Sequence, residues 1–128
     1  MSQKNPHLYI GPSDIHDRGV FCAKDISKGE IIEICPVLVV SAEDAEKLDE
    51  TVLFNYVFIW GDDDDKGAIV FGYGSLYNHA YKPNAEYAAD YEDDTFTVSA
   101  MKKIPAGSEI LINYNGNPKS QKKVWFDK

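Results

Sequence analysis

Asn78-His79-Ala80-Tyr81-Lys82-Pro83-Asn84 is the stretch on which the reading of this chain turns. Asparagine brings a donor and an acceptor, and histidine brings two distinct ring nitrogens. Pro83 fixes a turn and sends the chain in a new direction. Such a polar knot is unsuited to a core. It is either an ordinary surface loop or a ligand-binding loop, and the segments on either side decide between the two.

Upstream, Val52-Leu53-Phe54-Asn55-Tyr56-Val57-Phe58-Ile59-Trp60 is aromatic and β-branched and reads as strand for most of its length. Gly61 to Gly67 closes a hairpin onto Ala68-Ile69-Val70-Phe71. The hairpin tip Asp62-Asp63-Asp64-Asp65-Lys66 lacks the ligand spacing of a helix-flanked calcium loop, and reads as a solvated turn that discourages edge pairing. Downstream, Ala85 to Tyr91 and Thr95 to Met101 form a second hairpin with the acidic tip Glu92-Asp93-Asp94. Ile104-Pro105-Ala106-Gly107-Ser108-Glu109-Ile110 then repeats the pattern of Ile26-Ser27-Lys28-Gly29-Glu30-Ile31. Both have Ile-x-x-Gly and then Glu-Ile, and at Gly29 a φ above zero is expected.

The first of these turns lies between the short strand Val20 to Ala23 and a strand over Glu30 to Ile34, and Val37 to Val40 reads as a further buried strand after Pro36. Ser41-Ala42-Glu43-Asp44 resembles a capping box and opens one short helix over about 42–50. Residues 1–13 read as a weakly structured lead-in to a single domain over 14–128. Leu111 to Tyr114 completes the last strand before Asn115-Gly116-Asn117-Pro118 breaks it. The tail 115–128 carries Val124-Trp125-Phe126, which either docks on the domain or forms a sticky end. Together these elements predict a mostly β domain of many short strands with one inserted helix.

At 128 residues the chain has room for one domain, large enough to bury a core without disulfides or metals. Thirteen Lys plus Arg against 21 Asp plus Glu give a formal charge of -8. That balance argues against direct nucleic acid binding and favours a basic protein or peptide as partner, although solubility alone also accounts for it. Cys22 and Cys35 form no C-x-x-C pair and read as buried thiols of a reducing compartment. The opening residues lack the apolar stretch of a signal peptide, and no segment approaches membrane-spanning length. A cytoplasmic protein is expected, or a nuclear one in a eukaryotic source.

Three segments belong together: Asp17-Arg18-Gly19-Val20-Phe21, then Asn78-His79 with Pro83-Asn84, then Gly107-Ser108-Glu109-Ile110-Leu111-Ile112-Asn113-Tyr114. In this order and at these separations they resemble the SET-domain protein-lysine methyltransferases, specifically the minimal stand-alone forms of bacteria and large viruses. The resemblance runs from about Arg18 to the tail. It implies a β-clip of short curved sheets in which the C-terminal segment passes beneath a loop as a pseudoknot. It also implies S-adenosylmethionine as cofactor, leaving S-adenosylhomocysteine as product. Arg18, Gly19 and Val20 would meet its methionine part through backbone, Asn78 its amino or carboxylate group, and the backbone of His79 its adenine. Tyr114 takes the place of the family's catalytic tyrosine, also against the cofactor, and Trp125 that of an aromatic closing the pocket. No metal is implied.

The chemistry of these residues suits that assignment. A sulfonium cofactor already carries an activated methyl, so the protein has to align a neutral amine with it. An apolar channel walled by tyrosines lowers the cost of removing the amine's charge while offering hydroxyls to orient it. Tyr56 and Tyr87 are either ordinary strand aromatics or walls of this channel, the role the resemblance implies. Ile112 stands where such proteins tune the number of methyls added, and lacking a hydroxyl it leaves room for more than one. His79 is expected to act through backbone and structural hydrogen bonds, not as a base. Departures from the family pattern are Asp17 for a glycine, Ala80 for serine, and Asn113 for aspartate or serine. The alternative is a catalytically inactive SET-like module that binds a peptide or partner. A domain of this size presents little surface to a peptide, so a homodimer is a further expectation.

Overall fold

The computed structural model describes residues 4–121. Three small sheets build the domain. Strands β1 (Leu8–Pro12) and β2 (Arg18–Cys22) form an antiparallel pair. The largest sheet combines β3 (Ile31–Val40), β4 (Val57–Trp60), β5 (Lys66–Val70), β7 (Ala85–Asp90) and β8 (Thr95–Ala100) in the order β4-β5-β3-β8-β7. Between β5 and β7 lies β6 (Asn78–His79), which pairs in parallel with the last strand, β9 (Leu111–Ile112). Helix α1 (Ala42–Leu48) starts at Ser41, whose hydroxyl accepts from the Asp44 N–H.

The core follows from strand alternation. Along β8 the side chains of Phe96, Val98 and Ala100 turn inward while their neighbours are only partly covered. They pack with Ile32, Cys35, Val70 and Tyr77, all buried. Both cysteines are buried free thiols, as their spacing suggested, and burial pushes the Cys35 thiol well above its ordinary range.

The two Ile-x-x-Gly turns pair with each other. Ile26 and Ile104 exchange both backbone hydrogen bonds at 2.9 Å, and both side chains are fully buried. Gly29 and Gly107 adopt φ of +85° and +87°, the left-handed region that glycine enters without steric cost. From this junction the closing segment runs beside β2, with Ile110 N–H donating to the Val20 carbonyl at 2.8 Å, and then beside β6, where Ala80 N–H donates to the Ile112 carbonyl at 2.9 Å. Asn84 fastens it further: its Nδ2 donates to the Glu109 carbonyl and its Oδ1 accepts from the Leu111 N–H, each at 2.8 Å. Residues 109–112 are thus clasped between two separate parts of the chain, in keeping with the knotted closure that the resemblance implies.

Several boundaries differ from the sequence reading. Residues 4–13 are not a mere lead-in: β1 joins the domain because Leu8 is buried and Tyr9 stacks on Phe21 at 5.6 Å, while the Asn5 N–H donates to the Ile32 carbonyl. Val52–Tyr56 is a 3-10 turn rather than strand, begun by Thr51, whose hydroxyl accepts from Leu53 N–H. Pro36 does not split β3, because its missing N–H costs nothing where the carbonyl alone is used, accepting from Phe71. The last strand stops at Ile112, short of Tyr114.

Candidate active site

Asn78, His79 and Tyr114 meet in a cleft of about 410 Å3. It is lined by the stretch from Ile15 to Arg18, by Asn55 and Tyr56 with Ser75 and Leu76, and by Asn78 to Tyr81 with Tyr114. The clefts that hold small ligands are of this size and composition, apolar and aromatic with a few polar groups.

Asn78 is buried, and its amide nitrogen is surrounded by acceptors: Glu109 Oε2 at 2.7 Å, the Arg18 carbonyl at 2.9 Å, Ser13 Oγ at 3.1 Å and the His16 carbonyl at 3.3 Å. Its two hydrogens go to the two nearest, so Asn78 joins the Arg-Gly strand to the closing segment. Gly19 makes this approach possible. A Cβ there would lie 2.1 Å from Glu109 Oε2 and 2.9 Å from Asn78 Nδ2, so any other residue would push the carboxylate and the amide out of this arrangement. Val20, next along β2, is fully buried and contributes through its carbonyl. Arg18 is exposed at the rim. Asp17, standing where the family pattern has glycine, holds φ at +43°, a left-handed conformation that aspartate tolerates better than most residues.

The His79 Nδ1 accepts the Tyr114 N–H at 3.0 Å, fixing where that residue leaves the last strand. The Tyr114 hydroxyl donates to the Tyr77 carbonyl at 2.6 Å, and its ring meets Phe58 edge-on and His79 at a tilt. Burial foremost, then the nearby Tyr56 hydroxyl, holds this phenol well above the usual tyrosine range. It is therefore neutral at pH 7, with its proton directed at a carbonyl.

Of the predicted channel residues, Tyr56 borders the cleft and is tied in place by Ser75, whose hydroxyl donates to the Tyr56 carbonyl at 3.1 Å. Tyr87 does not line it. Its ring stacks on Phe96 at 4.4 Å, its hydroxyl donates to the Tyr114 carbonyl at 3.1 Å, and burial pushes it up to about 12. Ile112 is fully buried in the core and does not border the cleft either, so the room for extra methyls read from it has no support in its position. Trp125 lies outside the described residues. Asn113, the other departure, uses both ends of its amide: Nδ2 donates to the Ser120 carbonyl at 2.8 Å and Oδ1 accepts from Asn115 at 3.0 Å, a pairing that aspartate cannot reproduce.

Sequence reasoning missed Glu109, Ser13 and Glu33. Glu109 accepts from both Asn78 and Ser13 at 2.7 Å. Glu33 is buried, accepting from the Tyr77 hydroxyl at 2.7 Å and from the Tyr73 N–H at 3.1 Å. The signal for Glu109 was its place in the third motif; for a buried carboxylate amid isoleucines, as at Glu33, the signal was the conflict itself.

Comparison with known proteins agrees with this arrangement. The SET domain matches residues 17–115. A Schizosaccharomyces pombe histone-lysine N-methyltransferase, specific for H3 lysine-37, is 30% identical over 121 residues, 94% of this chain and 77% of its own length. Among solved structures, a Plasmodium falciparum protein assigned as a histone methyltransferase superposes with a TM-score of 0.63 at 31% identity, covering 86% of this chain and 98% of its own. Chaetomium thermophilum Polycomb Repressive Complex 2 shares the fold at a TM-score of 0.73 and 21% identity, over 88% of this chain but 15% of that one. By its motifs, its clasped closing segment and these matches, the chain belongs to the SET-domain family of protein-lysine methyltransferases.

Proposed function

We propose that this protein uses S-adenosylmethionine to methylate a lysine of a basic protein segment, a histone tail being the substrate class its acidic surface and its fission-yeast relative favour. The observation that carries this is the placement of Tyr114 in the cleft beside Asn78 and His79. The lining fits the cofactor chemically. Aromatic and apolar surfaces at Tyr81, Leu76 and Ala80 suit a purine, and the rim pairs a cation, Arg18, with an anion, Asp17, for a zwitterionic amino acid. Bound there, S-adenosylmethionine supplies a methyl already activated on sulfur.

The protein's own contribution is to prepare the amine. Lysine has a pKa of about 10.4, so its neutral form costs roughly 4.6 kcal/mol at pH 7. A cleft walled by Tyr56 and Tyr114 disfavours the charged amine by desolvation. Because the Tyr114 proton is directed at the Tyr77 carbonyl, the phenol oxygen faces the amine as an acceptor and orients its lone pair. No side chain is needed as a base if the amine sheds its proton to water before it enters.

The test is transfer of labelled methyl to histone peptides by the protein and by Tyr114→Phe. The variant is expected to bind cofactor within about twofold and to lose on the order of a hundredfold or more in turnover. A fully active variant refutes the role of Tyr114, and a folded protein that binds neither cofactor nor analogue points to the inactive binding module.

A further inference from the structure

Ser13 lies outside the region matched by the family, and the sequence reading left it outside the domain, yet it is the hub of one wall of the cleft. Its hydroxyl donates to Glu109 Oε1 at 2.7 Å and accepts the N–H groups of Ile15 at 2.9 Å and His16 at 3.3 Å. Its own N–H closes the loop by donating to the Asp17 carbonyl at 3.2 Å. The loop so gathered is the tip between β1 and β2, closed at its base by the Pro12–Arg18 pairing, and its side chains from Asp14 to Asp17 are exposed. Beyond that pairing, what holds it is polar: Ser13 and Asn78 both bond the one Glu109 carboxylate, and Asn78 also donates to the Arg18 and His16 carbonyls. A loop held by few bonds opens at low cost, so each of these bonds bears strongly on its closed population.

We propose that Ser13 and Glu109 form a latch that holds the 13–18 loop closed as the cofactor-side wall of the cleft, making both positioning residues. The inference rests on the S-adenosylmethionine reading for its effect on binding, but the latch itself does not. Glutamine at 109 keeps the shape while offering one acceptor oxygen where two donors, Ser13 and Asn78, require two. The Ser13 oxygen, already accepting two N–H groups, is poorly placed to receive the new amide.

The experiment compares the protein with Ser13→Ala, Glu109→Gln and the double variant in calorimetric titration with S-adenosylhomocysteine and in amide hydrogen exchange without ligand. Each single variant is expected to weaken binding about tenfold, the size of one charge-assisted hydrogen bond. The double variant should bind no more weakly than the worse single, because both break one device. Exchange supplies the readout independent of cofactor. Glu109→Gln should speed exchange at Ile15 and His16, amides that Glu109 does not touch, while the β7–β8 amides are unchanged. Additive losses, or unchanged exchange at Ile15 and His16 in Glu109→Gln, overturn the latch. If the unaltered protein binds no S-adenosylhomocysteine, the cofactor reading fails and the exchange result alone decides for or against the latch.

Discussion

Tyr77→Phe removes one oxygen from a fully buried ring and leaves every other contact of that ring in place. The oxygen donates to Glu33 at 2.7 Å, and Glu33 is itself only 3% exposed. Water cannot readily replace the lost donor, so the variant forfeits a hydrogen bond to a charged group worth about 1.5–3 kcal/mol. We take about 2.5 kcal/mol as the expected loss of unfolding free energy, measured by urea titration with the Tyr73 N–H still bound to the other carboxylate oxygen. At an unfolding entropy of about 2.1 cal/mol/K per residue, a chain of 128 residues loses roughly 9 °C in Tm. Glu33→Gln in the same background removes the uncompensated charge, so the double variant should regain about 1 kcal/mol over Tyr77→Phe. Catalysis offers a second check. The carbonyl of Tyr77 receives the Tyr114 hydroxyl, so loosening residue 77 should lower turnover severalfold with cofactor affinity nearly unchanged. A Tyr77→Phe protein within about 0.5 kcal/mol of the original would refute the reasoning, since surface-like changes fall in that range.

Two further outcomes follow from the same network. Tyr77, Tyr87 and Tyr114 all have hydroxyls raised above the ordinary tyrosine range, chiefly by burial. A raised folded value means that stability is intact below about pH 10 and is lost as pH rises, because the unfolded chain ionises first. Absorbance at alkaline pH should show these three ionising together with loss of circular dichroism; their ionisation in the folded protein near pH 10 would contradict the burial. Asn84→Asp keeps the acceptor for Leu111 but sets a carboxylate oxygen against the Glu109 carbonyl. The cost should be about 2–3 kcal/mol in urea unfolding, while an unchanged midpoint would show that the clasp on the closing segment is dispensable.

Much of the fold was legible because strand pairing leaves a local record. The acidic tips at 62–65 and 92–94 marked two hairpins, and both formed. The echo between Ile26 and Ile104 proved to be a direct pairing of the two turns. What was illegible had no local record. Val52–Tyr56 carries strand-prone residues but no neighbouring strand to bond with, so Thr51 starts a 3-10 turn instead. The parallel pair β6–β9 is two residues long on each side, too short for any periodicity. Tyr114 and Ile112 share strand parity and would face the same way if the strand continued. It ends at Ile112, and His79 takes the Tyr114 N–H, so one side chain enters the core and the other the cleft.

The motifs that identify the family are mostly scaffold, and the structure explains why. Strands of two residues supply few backbone hydrogen bonds, so side chains must complete the closing segment's attachment. Asparagine is suited to this because it gives and receives at one site, as a peptide group does. Asn84 bridges residues 109 and 111, and Asn113 bridges 115 and 120, each using both ends of its amide. Asn78 serves β2 and Glu109 in the same manner through its nitrogen. Keeping these residues therefore preserves a shape, whether or not methyl transfer occurs. Tyr114 is different in part: its N–H belongs to the scaffold through His79 and its hydroxyl holds the Tyr77 carbonyl just before β6, but the residue also lines the cleft. Turnover of Tyr114→Phe, rather than retention of the asparagines, is therefore what separates an active enzyme from an inactive module.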